Sequence, residues 1–191
     1  ATKLIGERLM LAAQSFSSST KFVTTRFGNV LGSSGSVVPL FVQQVKNDLH
    51  LTVTDVHMTR FVMGLNDAID LILEGMDIGR GGEIFVSKMD AVSILDLARV
   101  IFKLSNKSDR SFDESIRIIG PRPGEKLFEE LIADNEIERT VDHGHKFMIA
   151  PHFNQPVVSQ PDCILPEVYN SKFAPIASTD RIAHLIQSFC L

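Results

Sequence analysis

An arginine, a tight turn and a carboxylate stand between two apolar runs in Ile116–Leu131, IRIIGPRPGEKLFEEL. Pro121, Pro123 and Gly124 break regular structure there, so a rigid turn holds Arg122 and Glu125 at the end of a strand. The planar donor fork of Arg122 suits a phosphate, while the Glu125 carboxylate accepts from hydroxyls such as those of a ribose. That pairing points to a nucleotide with its phosphates. A plainer reading of the same residues is a helix-opening turn, with Glu125 at the positive end of the helix dipole and Arg122 solvated. Arg60, in MTRF, sits among apolar neighbours and needs an anion, which Asp55 or Asp67 could supply. Asn29 ends the words RFGN, at the carboxyl end of a short strand, where a side-chain amide reaches a ligand beyond a sheet. The loop Gly32–Val37 follows, with Ser34, Gly35, Ser36 and Val37 offering backbone N–H groups to a phosphate at the start of a helix. A flexible cap accounts for the same glycines. G-x-S-x-G cannot be read from GSSGS in any register, so the loop is no nucleophile elbow.

His143, His145 and His152 invite a metal reading, but no Asp or Cys ligand pattern frames them, and Gly144 suggests solvated loop histidines; no metal site is expected. Cys163 and Cys190 are far apart and without ligand spacing, which indicates two reduced thiols rather than a disulfide framework. A net charge of -4 argues against a nucleic-acid partner held by phosphate electrostatics. No apolar run approaches a bilayer-crossing length, and the charged, amphipathic start ATKLIGERLML is unlike a signal sequence. The expectation is a cytoplasmic chain with no membrane contact.

The elements that must position these residues alternate between strands and helices. A helix is expected over Thr2–Phe16, a strand over Lys21–Arg26, and a helix capped by Ser36 to about Asn47. Leu51–Thr54 and Thr59–Met63 read as short extended pieces, and Asn66 as the cap of an apolar helix to about Met76. Glu83–Ser87 is the next strand, Ser93 caps a helix to about Leu104, and Ser115–Gly120 is the strand before the turn. Leu127, Leu131 and Ile132 recur at helical spacing after it. Lys146–Ala150 reads as extended, 151–166 as proline-spaced coil, and Ser178 as the cap of a last helix, Thr179–Phe189. With 191 residues and 44% hydrophobic content, one globular α/β unit with a small mixed α+β lobe is expected. The chain opens inside a helix with no cap before Ala1, which reads as the later part of a longer protein.

The words ATKLIGERL, RFGNVLGSSGSVVPLF, MTRFV, GGEIFV and RPGEKLFEEL, in that order, resemble the extended short-chain dehydrogenase/reductase family. Within it they are most similar to UDP-N-acetylglucosamine 4,6-dehydratases of polysaccharide biosynthesis. The resemblance runs from Ala1 to about Leu131, and more loosely through HKFMIAPHF and YNSKF, which are like soluble members, some of which also invert C5. It implies the C-terminal, substrate-binding part of a Rossmann-type fold, interleaved with the end of the cofactor domain. Lys3 resembles the lysine of the Tyr-x-x-x-Lys element, which holds the nicotinamide ribose and lowers the tyrosine pKa. Its tyrosine, or the methionine of membrane-anchored relatives, would lie two positions before Ala1.

Further implied roles are NADP as cofactor, with Val30 beside it, and a UDP-sugar held by Asn29, Ser34, Gly35, Ser36, Val37, Arg60 and Arg122–Glu125, including Pro123 and Gly124. The family reaction oxidises C4, eliminates water across C5 and C6, and returns the hydride to C6. The family's glycine-rich cofactor turn and catalytic Asp-Lys pair would precede Lys3, so the chain alone is expected to be inactive, and a full-length protein to pair through the helix at Thr2–Phe16. Two rivals stand beside this reading. One is a related epimerase or reductase with the same nucleotide clamp; the other is a non-catalytic sugar-nucleotide-binding module.

Overall fold

The computed structural model of the chain describes residues 2–33, 35–105, 110–151 and 168–190. The elements run α1 (Thr2–Gln14), β1 (Thr24–Arg26), β2 (Asn29–Val30), α2 (Val37–Lys46), β3 (Leu51–Val53), β4 (Thr59–Met63) and α3 (Leu65–Ile78). They continue with β5 (Ile84–Ser87), β6 (Ala91–Ser93), α4 (Ile94–Ser105), β7 (Ile116–Ile118), β8 (Glu130–Ile132), β9 (Thr140–Asp142), β10 (Lys146–Ile149), β11 (Tyr169–Asn170) and α5 (Thr179–Cys190). Short 3-10 turns fill Asp113–Ser115 and Asp134–Arg139. The chain forms two compact units: Ala1–Phe27, Asn66–Lys88 and Glu130–Tyr169 make the first, and Gly28–Leu65, Met89–Glu129 and Asn170–Leu191 the second.

In the first unit β5 is the central strand, and its apolar residues Ile84, Phe85 and Val86 are all buried. A strand covered on both faces needs such an unbroken run. It pairs parallel with β1 and antiparallel with β10, which in turn pairs with β9. Side chains alternate across the sheet: Ile84 and Val86 join Ile132, Phe147 and Ile149 in one cluster, while the Phe85 ring lies against Gly75 of α3.

Arg26, the last residue of β1, is the ionic centre of this unit. Its guanidinium donates to both oxygens of Glu7 (2.7 and 2.6 Å), both oxygens of Glu136 (2.6 and 2.8 Å) and the Leu131 carbonyl (2.8 Å), so every N–H it owns is used. Burial opposes charge on Glu136, but the Arg26 and Ala133 N–H donors outweigh it and hold the carboxyl below its usual range. Burial likewise works against the Arg26 charge, and the two carboxylates overcome it and raise its pKa.

In the second unit, helices α2, α4 and α5, the three-stranded sheet β2·β4·β6 and the pair β3·β7 enclose one apolar core. Ile94, Leu97, Ala98 and Ile101 are buried at the i, i+3, i+4, i+7 positions of α4, and Ile182 and Ile186 are buried on α5. Phe41 of α2 and Leu51 and Val53 of β3 complete the fully buried layer. Ser93 and Ser178 cap α4 and α5 as expected, their hydroxyls accepting from the backbone N–H groups of Asp96 and Arg181 at 3.2 Å.

Four local expectations are corrected. No helix follows the turn at Arg122–Glu125: the Leu127 carbonyl accepts from the Thr59 N–H (3.0 Å) and the Glu129 N–H donates to the Ser171 hydroxyl (2.9 Å). With those groups committed to other segments no i to i−4 ladder forms, and Glu130–Ile132 becomes a strand. α3 begins at Leu65, so Asn66 lies within the helix rather than capping it. Ser36 stands at the N-cap of α2 with extended backbone, but its side chain makes no capping bond. Asn29 opens the short strand β2 rather than ending a strand, and β6, β9, β11 and the 3-10 turns at Asp113–Ser115 and Asp134–Arg139 have no counterpart in the sequence expectations. Ser34, His152 and Cys163 lie outside the described residues.

Candidate functional site

A cavity of about 470 Å³ opens in the second unit, a size suited to a small organic ligand. Its floor is apolar, formed by Val38, Phe41, Met58, Val62 and Leu97, and its polar lining includes Asn29, Ser36, Arg60, Arg122 and Glu125, with Ser33, Thr52 and Thr54 beside them. Val30, Gly35 and Val37 line it too, so most residues singled out in the sequence converge on one place. Pro123 and Gly124 shape the turn without lining the cavity.

Parallel pairing of β2 with β4 sets Asn29 opposite Val62 and Val30 opposite Met63. That pairing depends on Gly28, because a Cβ there would stand 2.4 Å from the Phe61 carbonyl oxygen. β4 supplies Arg60. β7, paired with β3, leads through Ile119 and Gly120 into the arginine turn. In that turn the Glu125 N–H donates to the Arg122 carbonyl (3.0 Å), Pro123 holds the second corner and Gly124 the third with φ of 82°, the pattern of a type II turn. The Glu125 carboxylate also accepts from the Arg122 N–H (3.1 Å), which leaves its other oxygen uncommitted. Glu125 therefore stiffens the turn rather than opening a helix.

The two arginines are in different situations. Arg60, with its side chain 15% exposed, donates to the carbonyls of Thr59 (2.8 Å) and Lys126 (2.7 Å), and its Nε lies 3.8 Å from Glu129. Its counter-ion within the unit is thus Glu129; Asp55 accepts from the His57 N–H instead (2.8 Å). The Arg122 guanidinium is exposed at the cavity with no partner among the described residues. A free guanidinium beside a pocket is an anion receptor, and an occupied one is chiefly a wall. α2 adds to the positive character: its first turn carries no acidic residue, and among the described residues no side chain caps it and the buried Ser36 hydroxyl finds no partner. The orphan N–H groups of such a helix start favour a phosphate.

Glu129 escaped the sequence reading. It accepts from the Asn29 amide nitrogen (3.0 Å) and the Phe61 N–H (3.1 Å). In FEEL it looks like one of two solvated charges on a helix face, and no local signal distinguishes it from Glu130.

Lys3 belongs to the first unit, on the exposed surface of α1. His145 of the same unit pairs with Glu74 (2.9 Å), as does Lys146, and these bonds hold the Glu74 carboxyl below its usual range. No cluster of metal-ligating side chains occurs among the described residues. None of their helices is long and apolar enough to cross a membrane.

The α/β organisation with its parallel strand pairs is that of a Rossmann-type fold. More narrowly, the chain belongs to the polysaccharide biosynthesis protein family, which matches residues 1–151. It is 38% identical to an uncharacterized membrane protein of Methanocaldococcus jannaschii, over 98% of this chain and 56% of that protein. A capsular polysaccharide biosynthesis protein, CapD of Staphylococcus aureus, is 46% identical over 72% of this chain and 23% of its own length. A UDP-glucose 4-epimerase of Rickettsia bellii is 39% identical over 78% of this chain and 42% of its own. Among solved structures, Pen from Bacillus thuringiensis superposes with a TM-score of 0.84 at 38% identity, covering 98% of this chain and 55% of that one. DesIV, a dTDP-glucose 4,6-dehydratase of Streptomyces venezuelae with NAD and TYD bound, shares the fold at TM-score 0.60 and 16% identity, over 96% of this chain and 48% of that one. The chain therefore spans about half or less of the length of these relatives.

Proposed function

We propose that the second unit binds a UDP-sugar and serves a nucleotide-sugar-modifying enzyme of the short-chain dehydrogenase/reductase class. The observation that carries this is the unpaired Arg122 guanidinium facing an apolar-floored cavity beside the uncapped start of α2. Arg122 takes the diphosphate together with the first N–H groups of α2, and Ser36 and Gly35 border the same anion. Arg60 holds the wall and turns a remaining N–H to the ligand. The free oxygen of Glu125 accepts from the ribose, the base lies on the apolar floor, and Asn29 and Val30 border the sugar side; Ser34 is assigned to the substrate with its neighbours on the resemblance alone.

At the level of the reaction we favour the UDP-N-acetylglucosamine 4,6-dehydratase type in a protein of the relatives' full length. The Rickettsia bellii relative, a UDP-glucose 4-epimerase, favours a 4-epimerase as the second reading. Both begin with oxidation at C4, so a nicotinamide dinucleotide, NADP on the resemblance, supplies hydride transfer in either. Of its contacts this chain offers only the Lys3 ammonium and Val30, and no G-x-G-x-x-G occurs in the 191 residues to cradle a pyrophosphate. These residues do not make a dinucleotide site by themselves. The chain alone is accordingly expected to bind UDP and show no turnover, with homo-oligomerisation through α1 proposed for the full-length protein.

The test is titration calorimetry of UDP and UDP-N-acetylglucosamine into the 191-residue chain. A charge-assisted contact contributes about 1.5–3 kcal/mol, so Arg122→Ala should weaken UDP by roughly tenfold or more. Equal affinity in the variant would remove the pocket from the argument. Product analysis with a full-length relative separates the two reactions, since dehydration yields a 4-keto-6-deoxy sugar and epimerisation keeps the C6 hydroxyl.

A further inference from the structure

Glu129 does not line the cavity but stands behind two residues that do, Asn29 and Arg60, and sets a carboxylate against a wall that otherwise suits anions. Its side chain is 30% exposed. One oxygen accepts from the Asn29 Nδ2 (3.0 Å) and faces Arg60 Nε at 3.8 Å; the other accepts from the Phe61 N–H (3.1 Å). Its own backbone is fixed from both sides, the N–H donating to the Ser171 hydroxyl (2.9 Å) and the carbonyl accepting from the Ser171 N–H (2.8 Å).

An ionised carboxylate has only acceptors to offer, so it dictates the orientation of the amide beside it. With Nδ2 turned to Glu129, the Asn29 carbonyl oxygen is the group left to meet a donor on a ligand. A reversed amide would set two acceptors against each other. We propose that Glu129 is a positioning residue that fixes the polarity of Asn29, so that this position reads a hydroxyl or N–H donor of the sugar nucleotide. Arg60 offsets the charge of Glu129 and keeps it from repelling the diphosphate that Arg122 binds. This rests on the UDP-sugar reading of the cavity.

A reciprocal exchange of the two side chains tests this polarity. Glu129→Gln sets an amide NH₂ against either the Asn29 NH₂ or the Phe61 N–H. Asn29→Asp sets two carboxylates face to face. In the double variant the new glutamine donates to the new aspartate and its carbonyl accepts from Phe61, while an acceptor still faces the ligand. Calorimetric titration of UDP-N-acetylglucosamine should therefore find each single variant weakened by about tenfold or more, and the double variant restored to within about threefold of the parent. A side chain with only a structural role would give additive losses in the double variant, and that result overturns the proposal. Thermal melts of the variants, together with the Asn29 side-chain amide signals in NMR spectra of the ligand-free chain, guard against misfolding. Slow exchange of those amide protons, lost in Glu129→Gln, is expected; unchanged amide signals would equally refute the contact. Should the parent chain bind no UDP-sugar while those signals behave as expected, the binding role falls with the functional reading and the hydrogen bond itself stands.

Discussion

Replacing Arg26 with alanine leaves Glu136, whose side chain is 2% exposed, with the Ala133 N–H (3.0 Å) as its remaining donor. Removing one partner of a buried ion pair costs about 3–5 kcal/mol, because the other charge stays desolvated. Arg26 itself is 17% exposed, so some water can enter the gap, and the lower end, about 3 kcal/mol, is expected. In a chain of this length that lowers Tm by about 6–12 °C. The pH dependence follows from the direction of the Glu136 shift. Its folded pKa lies below the ordinary value of 4.5, so the stability it contributes is present above that value and is lost as pH falls through the folded pKa. The gap between parent and Arg26→Ala should therefore be widest at neutral pH and shrink near pH 3. Glu136→Gln removes the charge while keeping the shape, and should lower stability at pH 7 yet flatten the acid limb. Circular dichroism melts at both pH values decide this. An Arg26→Ala chain melting within about 2 °C of the parent at pH 7, or a gap independent of pH, would refute the network's role.

Glu125→Gln should weaken UDP less than Arg122→Ala does, since an amide oxygen can still accept from the Arg122 N–H or from a ribose hydroxyl; paired calorimetric titrations compare them. Arg60→Ala should lower both Tm and UDP affinity, whereas Arg122→Ala should lower affinity and leave Tm within about 2 °C, because only Arg60 is tied to backbone carbonyls. Gly28→Ala should cost about 3 kcal/mol or more by forcing apart the β2·β4 pair, read as a Tm drop together with weakened UDP binding.

What was legible in the sequence followed from periodicity and caps. α4 announces itself through Ser93 and an apolar stripe, β5 through an unbroken buried run, and the residues of the cavity through short words at fixed order. What was not legible depends on partners distant in sequence. Leu127, Leu131 and Ile132 keep helical spacing, yet their segment is extended because Thr59 and Ser171 claim its backbone groups from 68 and 42 positions away, counting from Leu127 and Glu129. Arg26 reads as the ordinary polar end of a strand; its two carboxylates lie 19 and 110 residues away.

Distant partners also separate the two arginines of the cavity. Both stand in short motifs beside apolar residues, and by type they are equivalent anion receptors. Their roles diverge through what the surrounding backbone offers: β4 and the segment after the turn present carbonyls to Arg60, whereas the type II turn satisfies its own peptide groups through Glu125 and asks nothing of the Arg122 side chain. A turn that closes on itself releases the guanidinium it carries. The Glu125 carboxylate is joined to the Arg122 main chain and not to its guanidinium, so on the proposed reading the acid shapes the turn and the base is left to meet an anion.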